Sequence, residues 1–401
     1  MLGVLVKSQD GRPSKVEGNP NHPSSLGSTS VWAQAAVLDV FDNDRSQSAL
    51  HAGAAVSMDE AWAAVEAAAA RGRGNGDGIG LVISSKPSPT LGAWVKKFQK
   101  ELPQARVFIH DLAQPANTLG GANLAGAGTA RPVFDLSKAQ VIVSLDADFM
   151  GTGVDATRLA RQFAAGRSLE GGDRKMNRLY AVESLFTVTG SNADNRLQIP
   201  TSQVATFARL LAKEVLAAGA TAPTGGEAIA SALNAQGDER LTKWSKTVAA
   251  DLKTAGANAV VLVGERQPAW VHALGHFINA ALGAVGNTVA FIADTIGVQA
   301  GGTDDLAQAL DQGKLKTLFM VDVNPAYDGP GAAKLGEKLQ KVESSFHFGY
   351  HPDETAQLAT WHLPLSHQLE TWGDLVSWDG IPSVQQPLIA PLYDSVSDIE
   401  A

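Results

Sequence analysis

Residues 10–45 read DGRPSKVEGNPNHPSSLGSTSVWAQAAVLDVFDNDR, and the interpretation of the whole chain grows from this stretch. Asp10-Gly11 is a hairpin turn signal, and residues 13–17 alternate as a strand would. Gly18-Asn19-Pro20 and Asn21-His22-Pro23 are two further breakers. Gly27 then closes a loop ahead of a helix-compatible run over 31–38. Local rules alone predict a β-ribbon leading into a helix.

Downstream, apolar strand-like runs alternate with helical ones. The spacing predicts helices over 58–71, 90–101, 155–165, 202–218, 269–282 and 304–310. A further helical run over 227–252 is interrupted near Gly237. Strands are predicted over 79–84, 106–110, 140–145, 178–182, 258–263, 289–292, 317–323 and 344–348. Strand–helix–strand alternation signals parallel sheets covered by helices on both faces.

The chain has 401 residues, enough for two or three domains with substantial cores. Hydrophobic content of 44% with 18% charged residues describes a globular chain. No apolar run approaches the roughly 20 residues of a membrane span. The formal charge of -9 argues against a nucleic-acid partner, and the short basic cluster Arg71-Gly72-Arg73 reads as a helix end. There are no cysteines, which excludes disulfides, cysteine nucleophiles and any thiolate-held zinc or iron–sulfur cluster within these residues. Residues 1–8 lack the pattern of a signal peptide. The chain starts nearly inside a hairpin and stops at Ser397-Asp398-Ile399-Glu400-Ala401, as a piece of a longer polypeptide would.

The order DGR hairpin, Gly-Asn-Pro-x-His-Pro, Gly-x-x-x, then an acidic Asp-Arg segment resembles the N-terminal signature of the molybdopterin oxidoreductases, the class of dimethyl sulfoxide reductase and formate dehydrogenase. The resemblance recurs along nearly the whole chain. It is carried by Val182 to Pro200, by Gly283 to Asn287, by Leu306 to Pro325, and most specifically by HPDETAQLATWHLPLSHQLETWGDLVSWDG over 351–380. It implies an α/β fold of two doubly wound, Rossmann-like αβα domains, one inserted in the other, on a small N-terminal β-ribbon remnant. The implied boundaries are 1–45 for the remnant, 46–111 plus 257–401 for a discontinuous domain, and 112–256 for the insert.

Departures from the family pattern fall where its cofactors would bind. The cluster-binding Cys position of Gly-x-x-Cys is Ser30. A strand ending in Gly-x-Asn-Pro becomes Leu145-Asp146-Ala147-Asp148-Phe149, and two carboxylates there would repel a diphosphate. Asp-Pro-Arg becomes Glu183-Ser184-Leu185, and Pro-Gly-Thr-Asp becomes Pro200-Thr201-Ser202-Gln203. The remaining pocket positions implied by the resemblance are Asn324, Glu354, Thr355 and Glu370. With Ser30, Asp146, Asp148 and Glu183 they form a set of vestigial positions, none of them expected to be catalytic. Residues 111–135 contain neither Ser nor Cys, so only Asp111 or Asp135 could supply a molybdenum ligand from that loop.

This pattern resembles one branch, the large iron–sulfur subunit of alternative complex III, a membrane quinol-oxidising assembly. The resemblance implies a cofactor-free scaffold domain, with 4Fe-4S or 3Fe-4S clusters only in a downstream ferredoxin-type domain. It implies haem-bearing and quinol-binding partner subunits, no membrane span of its own, and a position on the periplasmic side of the inner membrane. Two other readings stay open. One is an active molybdenum or tungsten bis-pterin oxidoreductase using Asp111 or Asp135. The other is a nucleotide or small-molecule module using the inter-domain cleft.

Several residues carry local readings of their own. His272 and His276, four apart on a helix, have the spacing of two metal ligands, but no Glu follows His272, and structural histidines are the simpler reading. His347, His351, His362 and His367 could be core hydrogen-bonding groups, interface residues or a proton relay. Asp146 and Asp148 suit helix capping and contact with water better than paired acid–base work. Trp361, Trp372 and Trp378 suit a core or a partner surface.

Overall fold

The computed structural model describes residues 2–71, 74–111, 115–168, 176–231, 233, 236–293 and 297–401. Gly72 and Arg73 of the basic cluster, and residues 112–114 of the loop before the insert, lie outside the described residues. The opening ribbon forms as its turn signals require. Val4–Gln9 pairs antiparallel with Arg12–Gly18. Asp10 and Gly11 between them have φ of 51° and 78°, the left-handed pair that twists a two-residue hairpin the right way. Helix Val31–Asp39 follows, capped by Ser30, whose Oγ accepts a hydrogen bond from the Ala33 amide at 3.1 Å.

Two main sheets carry the rest. The larger has seven strands in the order Ala54–Val56, Ala49–His51, Trp361–Pro364, Ser344–Gly349, Thr317–Val321, Ile79–Ile83, Arg106–Ile109. Its last five strands are parallel, and the 49–56 hairpin is added antiparallel at one edge. The smaller has four parallel strands in the order Asn195–Gln198, Arg178–Glu183, Val141–Leu145, Ala259–Val263. Strands 141–145 and 259–263 are apolar almost throughout because both faces are covered. Val141, Val143, Leu145 and Val261 pack against helices Thr201–Ala217, Glu239–Ala255 and Ala269–Ala281. Ile142, Val260 and Leu262 point to the other side, against Leu159 and Phe163 of helix Ala156–Ala165. That is the period of two expected of a strand.

Chain order shows the interleaving. Strands of the seven-stranded sheet come from residues before 110 and after 316, and the four-stranded sheet is made between them. The expected border at 257 does not coincide with strand pairing. Residues 259–263 pair with 141–145, helix 269–281 packs on that sheet, and Val289–Ile292 pairs with Arg131–Phe134. A buried apolar strand looks alike whichever sheet takes it up, so its periodicity says nothing about its neighbour. Trp361–Pro364, part of the 351–380 motif, is likewise a core strand. Among the described residues no helix is long and apolar enough to cross a membrane.

Candidate functional site

In an open parallel sheet, a crevice forms beyond the carboxyl ends of the strands where their order reverses. In the four-stranded sheet the chain moves outward from 141–145 to 178–183 and 195–198, then returns to 259–263 on the opposite side. The crevice therefore lies beyond Leu145 and Val263. A cavity of about 420 Å³ is found there. Its walls include Asp146, Asp148, Phe149, Asp155, Gly264 and Trp378.

Asp146 leaves the strand in the left-handed conformation, with φ of 57°, while its amide still donates to the Val182 carbonyl at 2.7 Å. Its side chain is buried. Oδ2 accepts from Gln267 Nε2 at 3.1 Å, and Oδ1 has no hydrogen-bond partner, with Arg266 3.8 Å away. Gly264 crosses so closely that a Cβ there would lie 1.9 Å from the Asp146 carbonyl oxygen, which only glycine avoids. The expectation of a water-facing Asp146 is thus corrected: the left-handed turn folds its carboxylate inward. Asp148, half-buried, accepts the Thr189 amide at 2.9 Å. Glu183 is buried, accepts Thr187 Oγ1 at 2.6 Å and the Thr187 amide at 3.4 Å, and pairs with Arg196 at 2.6 Å. The amides at the entry to the turn 187–191 are therefore taken by the protein's own carboxylates.

The seven-stranded sheet has its own reversal, between 79–83 and 317–321. Asp322 occupies the position equivalent to Asp146, also left-handed with φ of 54°. Burial pushes its carboxyl up to about 6, against the opposing pull of Lys86. Asn324, Glu354 and Thr355 meet nearby: Asn324 Nδ2 donates to Glu354 Oε2 at 2.9 Å, and Asn324 Oδ1 accepts from Thr355 Oγ1 at 2.7 Å.

The eight vestigial positions thus do not form one site. Asp146 and Asp148 line the cavity, with Glu183 next to them through Thr187, another wall residue. Asn324, Glu354 and Thr355 form a second group, Ser30 caps the ribbon helix, and Glu370 is buried against Arg45 at 2.7 Å. Asp111 accepts the Ser85 amide at 2.8 Å, Asp135 caps a short turn beside Lys138, and neither lines the cavity.

The histidines separate as well. His347 and His362 are buried and joined Nδ1 to Nδ1 at 3.0 Å; His362 Nε2 is 2.5 Å from Ser46 Oγ, and His347 Nε2 is 3.1 Å from the Val323 carbonyl. Only the ring N–H of His347 can serve that carbonyl, so the proton order along the chain is set, with the Ser46 hydroxyl donating to His362. Burial drives His362 down to about 3, with His347 adding to the effect, and lowers His347 itself. His351 faces Asp42 at the surface. Of the tryptophans, Trp361 stacks on His51, Trp372 is exposed, and Trp378 donates to the Pro132 carbonyl at 2.8 Å. His272 and His276 are buried on helix 269–281. Among the described residues no group of three or more His, Cys, Asp or Glu is placed to hold a metal.

Two interleaved parallel sheets, each with a polar turn at its reversal point, give the chain a fold like that of the molybdopterin oxidoreductases. Acetylene hydratase from Pelobacter acetylenicus, of that family, shares the fold with a TM-score of 0.74 at 13% identity, over 99% of this chain and 66% of that one. The chain is also 27% identical, over 98% of its length, to the molybdopterin-binding-like subunit of menaquinone reductase from Nitratidesulfovibrio vulgaris. It spans 61% of that protein. No protein-family model matches the sequence.

Proposed function

We propose that this chain is the cofactor-free, molybdopterin-oxidoreductase-like body of a multi-subunit, membrane-associated quinol:acceptor oxidoreductase, and that it acts as a scaffold for the redox-active subunits. One observation carries the reading. At the switch point of the four-stranded sheet, where a dinucleotide's diphosphate needs free amides, Asp148 accepts the Thr189 amide and Glu183 accepts that of Thr187. The buried Asp146 carboxylate stands beside them. Three carboxylates around one anion position do not fit a pterin dinucleotide. The ribbon tells the same story, because Ser30 spends its side chain on capping a helix where a thiolate would be needed for a cluster.

The relationship to a subunit of menaquinone reductase supports a place in a membrane redox complex. On this reading the haem-bearing and quinol-binding partners, a ferredoxin-type domain with iron–sulfur clusters, and a periplasmic position belong to the assembly, of the alternative complex III kind. Purification of the affinity-tagged full-length protein from detergent-solubilised native membranes tests it. Co-purification of membrane subunits with haem absorbance is expected; recovery of the protein alone at low salt and mild detergent would sink the scaffold role.

A further inference from the structure

Two imidazoles on helix 269–281 stand out because nothing uses them. His272 and His276 are 3% and 6% exposed, yet His272 Nε2 and both ring nitrogens of His276 lack any hydrogen-bond partner. Buried polar atoms in that condition are destabilising unless something else satisfies them. Both rings line a small cavity of about 20 Å³, room for about one oxygen atom. That cavity shares Thr118, Pro132, Phe134 and Val263 with the 420 Å³ switch-point pocket, so it is the inner annex of the larger space.

We propose that the pocket and annex together bind a small neutral molecule with a flat apolar body and a phenol-type hydroxyl, the hydroxyl being taken up by His272 and His276. His272 Nε2, which has no partner, and the His276 ring both border the annex. A neutral imidazole carries one N–H and one lone pair, so His272 Nε2 offers the annex either a donor or an acceptor. His276 offers one N–H and one lone pair. A hydroxyl donates and accepts at once and matches both rings. An ammonium can only donate and would have to shed its water in an apolar annex, and a ketone can only accept. Anionic groups are opposed by four carboxylates in the walls, Asp146, Asp148, Asp155 and Glu265, against the single guanidinium of Arg266. Phe134, Phe149, Leu159 and Leu262 in the walls suit a one- or two-ring body, and the volume is that of an ordinary small-molecule site.

The test uses the intact protein with 2-naphthol, naphthalene and 2-naphthyl phosphate as probes. In ¹³C-histidine-labelled protein, 2-naphthol is expected to shift the ring Cε1–H signals of His272 and His276 saturably, with a Kd below about 1 mM. Naphthalene should bind about tenfold more weakly, and the phosphate ester should move neither signal. In the His276→Phe variant the preference for naphthol over naphthalene should disappear. Should that variant not fold, the wild-type titration decides alone. Unmoved signals, equal binding of naphthol and naphthalene, or binding of the phosphate ester would each overturn the proposal.

Discussion

Lowering the pH from 6.5 towards 4 is expected to remove several kcal/mol of stability and unfold the chain. Burial drives His272 and His276 down to about 4 and His362 to about 3, with neighbouring imidazoles adding to the shift for His276 and His362. His347 is lowered too. Histidine in an unfolded chain titrates near 6.5, so below that pH the unfolded state binds more protons than the folded one. Stability is therefore complete above about 6.5 and falls as pH drops towards the folded values. His272, His276 and His362 each contribute about 1.4 kcal/mol per pH unit over that window, roughly 3 kcal/mol by pH 4. The 272/276 and 347/362 neighbours titrate as pairs, so the contributions do not simply add. Asp322 works in the opposite direction: its carboxyl is raised to about 6, so its destabilising effect is full above 6 and is relieved as pH falls towards 4. Asp155, also raised by burial, acts as Asp322 does, and His367, also lowered by burial, joins the other four imidazoles. Two carboxyls against five imidazoles leave a net loss comparable with the whole stability of a typical domain. Thermal melts from pH 7.5 to 4 would show a Tm that drops steeply below 6.5. A Tm constant down to pH 4.5 would contradict the burial of these rings as neutral groups.

The second large effect concerns the ion pair that ties the start of the chain to its end. Arg45 reaches Glu370 with both guanidinium nitrogens, at 2.7 and 3.2 Å, and the side chains are 2% and 0% exposed. Arg45 also donates to the Val40 carbonyl at 2.9 Å, and Glu370 accepts the amides of His367 and Leu392. Burial alone would raise the Glu370 carboxyl, but Arg45 and these two amides hold it below the usual range. Glu370→Ala strands a buried guanidinium and is expected to cost about 3–5 kcal/mol, since half of a buried pair is worse than none. The double variant Arg45→Met/Glu370→Leu should recover most of that loss. Chemical denaturation of the wild type and the two variants decides it. A single-variant cost under about 1 kcal/mol would show that the pair does not anchor the N-terminal ribbon segment.

The parts of the fold that sequence revealed are those written in short-range chemistry. Asp10-Gly11 marks a hairpin because both residues must be left-handed. The strands over 79–84, 140–145 and 317–323 announce themselves as apolar runs because each is covered on both faces. What sequence left undetermined depends on neighbours. Residues 259–263 have the right composition for either sheet, and only pairing with 141–145 assigns them. Asp146 was legible as a carboxylate after a strand, but its inward turn depends on a left-handed φ and on Gly264 crossing at its carbonyl. Glu370 was visible within its motif, whereas its partner lies 325 residues earlier. The four-residue spacing of His272 and His276 was plain. That His272 Nε2 and both ring nitrogens of His276 lack a partner could be learned only from the packing of helix 269–281.

On the proposed function, carboxylates of the chain itself take the amides that would otherwise hold a diphosphate. Elemental analysis of the protein purified from its native host, combined with acid oxidation and pterin fluorescence, addresses it most directly. Molybdenum, tungsten and pterin are all expected far below one per chain. Any of the three at a one-to-one ratio would contradict it.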